Sequence, residues 1–133
     1  MDMDEETVMR AAMIEREARQ LEENLQLIDG QIAELESFEE TLNFFIKSKD
    51  KEMLSSLGRR VYVRTNIEER DKLFVEVGSG VIVKKSPGDT IKIAKEQIER
   101  LRQARNEILS RLNEYNGQLQ QIIDLIRNSE KTI

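Results

Sequence analysis

The chain carries 26 Asp and Glu side chains, the groups with most scope for chemistry, because paired carboxylates can relay protons or hold a metal. They are spread along charged helical stretches, where solvated faces account for them, and no pair falls in a definable pocket. Histidine and cysteine are both absent, which removes a thiolate nucleophile and any His-based metal or acid–base site. Gly78-Ser79-Gly80 is too short for a phosphate loop and lacks the Lys and helix that must follow. Arg59, Arg60 and Arg64 form a basic cluster that reads as sheet surface or as a contact to a neighbouring subunit. The expectation is a protein with no catalytic residues, no metal and no cofactor, and so not an enzyme.

The elements that present these groups begin in the middle of the chain. Leu57-Gly58-Arg59-Arg60-Val61-Tyr62-Val63 is followed by Val77-Gly78-Ser79-Gly80-Val81-Ile82-Val83. This is one unit written twice: an apolar residue, Gly, two linkers and a hydrophobic strand start. The alternation predicts strands at 53–57, 61–66, 73–77 and 81–85, with Gly58 and Gly78 to Gly80 supplying hairpin backbone angles. Val61, Val63, Val75, Val77, Val81 and Val83 would line one face, and Tyr62, Phe74 and Ile82 the other. Short strands with two apolar faces and open edges do not survive alone, so pairing with other subunits is expected. The oligomerisation surface is then Leu57, Val61, Tyr62, Val63, Phe74, Val75, Val77, Val81, Ile82 and Val83.

Helical arms flank this unit. From 5 to 50, apolar residues recur in alternating steps of three and four at Ala11, Ile14, Ala18, Leu21, Leu25, Ile28, Ile32, Leu35, Leu42 and Ile46, with Glu39 as the one break. From 87 to 128 the same seam runs Ile91, Ala94, Ile98, Leu101, Ile108, Leu112, Tyr115, Leu119, Ile122 and Ile126, broken at Arg105. Ser86-Pro87-Gly88-Asp89 predicts the second helix start. A first arm of ~45 residues would be a rod of about 68 Å, which needs a partner helix along its length. The first arm has 13 acidic and 3 basic residues from Met1 to Ile46. The second has 9 basic and 6 acidic from Lys84 to Arg127. The arms should therefore pair as an antiparallel coiled-coil hairpin. If paired positions sum to about 144, Ile46 meets Ile98, Ile32 meets Leu112, Leu25 meets Leu119, and Glu39 meets Arg105. Slips by seven, and both charges bending out to solvent, stay open on the pattern alone. The same register brings Gly30 near Gly117, either as a joint or as two tolerated glycines. The expected fold is mainly α with a small β unit, in one domain over 1–133: arm 5–50, hairpin unit 51–86, arm 87–128.

Composition narrows the setting. With 35% charged and 5% aromatic residues the chain has the profile of a long helix rather than a large globular core. A net charge of −5 disfavours nucleic acid, and an acidic first helix would neutralise the basic second one. No apolar run approaches the roughly 20 residues of a membrane span, and no signal-peptide pattern opens the chain. A soluble, cytoplasmic protein is expected.

The long helix, Leu57-Gly58, Val61-Tyr62-Val63, the run from Asp71 to Ser86 and the second long helix together resemble an alpha-class prefoldin subunit of archaeal type. The duplicated hairpin separates this class from the beta class, which carries one hairpin. Two departures are Leu54-Ser55-Ser56-Leu57, where a Val-Pro-Leu type run is usual, and Arg59-Arg60 in place of small turn residues. The resemblance implies an ATP-independent chaperone in a hexamer of two alpha and four beta subunits, with the hairpins forming a double β-barrel. Unfolded client proteins would be held at the coiled-coil tips and passed to a group II chaperonin. The candidate client contacts are Val8, Met9, Met13, Ile123, Leu125 and Ile126, with Ile133 beyond them; Ile14, Ile122 and Ile126 also sit on the seam and serve to complete the coil. The alternative is a structural coiled-coil spacer or a filament-forming paralogue.

Overall fold

In the computed structural model, residues 2–131 are described, with side chains from 5 to 130. Helix α1 runs Asp2–Lys47 and helix α2 runs Pro87–Lys131. Between them lie β1 (Glu52–Gly58), β2 (Val61–Asn66), β3 (Leu73–Gly78) and β4 (Val81–Lys85). The strands form two separate antiparallel hairpins, β1 with β2 and β3 with β4. Two long helices with two hairpins between them is the architecture the sequence pattern calls for.

Local chemistry sets each boundary. Helix α2 begins where Ser86 Oγ accepts the Asp89 N–H at 3.1 Å, and Pro87 fills the first helical position, where no N–H is needed. Thr90 donates through both its N–H and its hydroxyl to the Ser86 carbonyl. Helix α1 has no Pro or internal break. It stops after Lys47, where Ser48 N–H still reaches the Phe44 carbonyl and Ser48 Oγ accepts the Asp50 N–H.

The two hairpins repeat one geometry. Each has a β-bulge, between Ser56 and Gly58 in the first and between Glu76 and Gly78 in the second. Each bulge leads into a two-residue turn with positive φ at both positions: Arg59 (50°) and Arg60 (65°), then Ser79 (50°) and Gly80 (76°). This backbone matches the right-handed twist of the strands, as two-residue hairpin turns require. Gly58 at φ 104° and Gly78 at φ 128° occupy positions that side chains rarely adopt.

By internal contacts the chain divides into two compact units: 1–33 with 99–133, and 34–98. In the first, Ile14, Ala18, Leu112 and Ile122 are buried, with Leu21, Leu25, Ile28, Ile108, Tyr115 and Leu119 half-buried along the seam. In the second, Leu42, Ala94 and Ile98 are buried, with Leu35, Phe45, Ile91 and Ile93 half-buried. Phe45, not Ile46, carries the seam past Leu42; Ile46 is 44% exposed.

The register differs from the expected one. Arg105 Nε pairs with Asp29 at 2.7 Å, and Glu39 pairs with Lys95 at 3.6 Å, so Glu39 and Arg105 do not meet. Tyr115 donates its hydroxyl to Glu17 at 2.6 Å in the same register. Paired positions sum to 132 or 134 rather than 144. Leu25 therefore lies level with Ile108 rather than Leu119, and Ile32 with Leu101 rather than Leu112. The physical reason is that each seam charge takes a partner from the flank of the opposite helix. A flanking residue stays half in water, whereas two facing seam charges would be desolvated together. The two glycines separate as well: Gly30 adjoins the Asp29–Arg105 pair and Gly117 lies near Tyr115 and Glu17, so they form no common joint.

Candidate functional site

The hairpins expose their apolar side chains. In the first, cross-strand pairing puts Met53, Ser55, Val63 and Thr65 on one face and Leu54, Tyr62 and Arg64 on the other. A hydroxyl pair holds the first face together, Ser55 Oγ to Thr65 Oγ1 at 2.8 Å, and Arg64 pairs with Glu52 at 3.6 Å across the second. In the second hairpin, Leu73, Val75, Val83 and Lys85 share one face, while Phe74, Glu76, Ile82 and Lys84 share the other, with Lys84 over the Phe74 ring at 5.4 Å. Leu57 and Val77 fall in the bulges, outside the paired register. Val75 and Val83 are half-buried; Leu57, Val61, Tyr62, Val63, Phe74, Val77, Val81 and Ile82 are all exposed. Monomeric surfaces rarely carry so many contiguous apolar side chains without a use for them.

Arg70 was not legible as a structural residue. It lies in a polar loop, yet its Nη1 donates to the Phe45 carbonyl at 2.9 Å and its guanidinium stacks 5.3 Å from the Phe45 ring centroid. A cation at the end of α1 meets the negative end of the helix dipole, so one side chain ties the inter-hairpin loop to the helix. Ile67 N–H donates to the Lys51 carbonyl at 2.7 Å, one step beyond the Glu52–Asn66 pair, so the loop leaves the first hairpin from a continued β1–β2 ladder. The only sequence cue is an Arg in the loop and an aromatic in the last helical turn. Beside this clamp an open groove of about 600 Å³ is floored by Leu42, Phe45, Met53, Leu73 and Phe74.

The second candidate surface lies near the two termini, in the other unit. Ile14 and Ile122 are each 7% exposed, so the seam is closed to that level. Around it Met9 (69%), Met13 (61%) and Leu125 (64%) stand out in solvent, with Val8, Ile123 and Ile126 also exposed. From Ile123 to Glu130 no α2 side chain is buried. Ile126, which the pattern places on the seam, lies on the exposed side. Ile133 is outside the described residues. No group of three or more His, Cys, Asp or Glu suited to a metal occurs among the described residues, and none of their helices is long and apolar enough to cross a membrane.

A duplicated bulged hairpin between two long paired helices is a narrow structural signature. The prefoldin-subunit family model matches residues 14–131. The chain belongs to the prefoldin family. It is of the alpha type: it is 31% identical over 111 residues to prefoldin subunit alpha of Archaeoglobus fulgidus, covering 77% of this chain and 80% of that one. The corresponding subunit of Thermofilum pendens is 30% identical over 111 residues, covering 83% and 86%. A solved filamentous prefoldin from Methanocaldococcus jannaschii shares the fold, with a TM-score of 0.71 at 22% identity over 93% of this chain and 98% of that one. Prefoldin is a family of non-enzymatic chaperones whose subunits form oligomeric complexes.

Proposed function

We propose that this chain is the alpha subunit of an ATP-independent holding chaperone. Its hairpin unit assembles with beta-class subunits into a hexamer of two alpha and four beta chains built on a β-barrel. The terminal ends of its helices bind unfolded proteins for delivery to a group II chaperonin. The observation that carries this reading is the presence of two exposed apolar surfaces in separate units of one chain, one on strands and one on helix ends. Strand edges suit permanent assembly through backbone pairing. Exposed Met, Ile and Leu on helices suit weak and unselective contact, because Met adapts to many shapes. Burying one such side chain gives roughly 1.5–3 kcal/mol, so single arms bind weakly and several arms together bind through avidity.

The test is a mass measurement of the chain alone and with a beta-class subunit, followed by an aggregation assay without ATP. A defined hexamer formed only with the partner, and suppression of client aggregation by that hexamer, is the expected result. Homopolymers of the chain alone would favour a filament subunit. The fold likeness to a filamentous prefoldin gives that second reading its one specific support.

A further inference from the structure

The chain has no cysteine and no tryptophan, so its most readily oxidised side chains are methionines. Those whose side chains are described are Met9, Met13 and Met53, and all three are exposed, at 69%, 61% and 45%. Methionine is ordinarily among the side chains that a fold buries. Met9 and Met13 are four residues apart on α1, which puts their thioethers one turn apart on one stripe of the helix. The rest of that stripe is charged, with Glu5, Glu6, Arg16 and Glu17 exposed around them. Neither methionine completes the seam, which Ile14 and Ala18 close. The exposed apolar side chains near the termini therefore divide by chemistry. Helix α1 supplies Val8 and two thioethers, whereas α2 supplies the hydrocarbons Ile123, Leu125 and Ile126. A peroxide attacks the sulfur atoms and leaves the hydrocarbons as they are.

We propose that Met9 and Met13 form a modification site, at which oxidation to methionine sulfoxide switches off the α1 share of the client-holding surface. The proposal rests on the client-holding reading above and adds a control that acts on it. The oxidant is hydrogen peroxide. A sulfur lone pair attacks one peroxide oxygen, the S–O bond forms as the O–O bond breaks, and the departing hydroxide takes the remaining proton and leaves as water. Sulfur is oxidised by two electrons and the peroxide is reduced by the same two. Reductases of the two sulfoxide epimers reverse the step, with two thiols oxidised to a disulfide and the oxygen lost as water. The thioether is apolar and adapts to many shapes, while the sulfoxide is polar and holds its water against an unfolded segment. Exposure lets the reaction proceed on the folded chain. The α2 hydrocarbons are untouched, so holding is reduced rather than abolished. The hairpins lie in the other unit, so assembly persists.

The test uses the complex with the beta-class subunit, treated with hydrogen peroxide and then freed of it. Peptide masses locate the sulfoxides, and native mass spectrometry follows assembly. The parent complex should gain one oxygen at each of Met9 and Met13 and keep its subunit stoichiometry. Its ATP-free suppression of client aggregation should fall roughly two- to fivefold and return after treatment with the reductases and thiol. M9L/M13L keeps the apolar surface but lacks the sulfur; it should match the parent before peroxide and outperform it afterwards. M9Q/M13Q should match the oxidised parent with no peroxide added. Equal losses in the parent and in M9L/M13L overturn the proposal, because the responsible sulfur then lies elsewhere, Met53 and the beta chains included. Unchanged suppression with both sulfoxides formed overturns it as well. Untreated I123S/L125S separates the two layers. If it loses suppression while the fully oxidised parent does not, only the present proposal fails; if both hold clients as well as the untreated parent, the client-holding reading fails with it.

Discussion

Removing both members of the Asp29–Arg105 pair tests the helix register directly. The perturbation is a double-mutant cycle: Asp29→Ala, Arg105→Ala and the two combined. Alanine keeps the helices favourable, so propensity does not mask the pair. The two groups lie 2.7 Å apart with side chains 49% and 39% exposed, and both stay half in water. In bulk water two unit charges at ~4 Å attract by about 1 kcal/mol, and near a protein surface by about 4 kcal/mol, before the entropy of holding both side chains is subtracted. A coupling of about 1 kcal/mol is the expected net, a factor of roughly five in the unfolding equilibrium. Urea unfolding at fixed protein concentration measures it, because assembly makes apparent stability concentration-dependent. Most of the coupling should vanish in about 1 M salt. A parallel cycle on Glu39 and Arg105 should give zero within about 0.3 kcal/mol. Coupling in that second cycle and none in the first would refute the observed register and restore the one in which the two seam charges face each other.

Arg70→Ala should destabilise the chain by about 2 kcal/mol, since it removes a charged hydrogen bond and a ring contact at the end of α1; urea unfolding showing a loss under ~0.5 kcal/mol would count against the clamp. Ser86→Ala removes the cap of α2 and should cost about 1 kcal/mol, with Ser86→Asn recovering most of it in the same assay. The Tyr115 hydroxyl donates to the Glu17 carboxylate, which raises its pKa above the ordinary phenol value. That contribution is present below the ordinary phenol pKa and is lost as pH rises through the raised value. Tyrosinate absorbance should show a late-titrating phenol, and Glu17→Gln should bring it back towards normal.

The two arms, the doubled hairpin and the start of α2 could be read from the residues alone. Heptad spacing, alternation around Gly58 and Gly78, and Ser86-Pro87 are local signals, decided within a few neighbours. The register was not local. It depends on Asp29 and Lys95, which sit off the apolar seam and look like any other solvated charge until the opposite helix is in place. The same limit hid Arg70, whose partner is a backbone carbonyl 25 positions earlier. The switch from Ile46 to Phe45 reflects the end of α1, where the ring is held by that guanidinium rather than by heptad periodicity. Of the candidate surfaces, the exposed residues near the termini and on the hairpins follow from apolar side chains in excess of what one seam or one hairpin can bury. The left-handed backbone at Arg59 and Arg60 ran against residue preference and only the bulged turn geometry brought it out.

The central claim is a division of labour: hairpins assemble, and helix ends hold clients. The most direct measurement is ATP-free suppression of client aggregation by a complex whose alpha chains carry Met9→Ser, Met13→Ser, Ile123→Ser and Leu125→Ser, with its mass checked by native mass spectrometry. These side chains are exposed, so the variant should assemble with unchanged subunit stoichiometry while its suppression of aggregation falls several-fold. An intact complex that suppresses aggregation as well as the parent would contradict the claim.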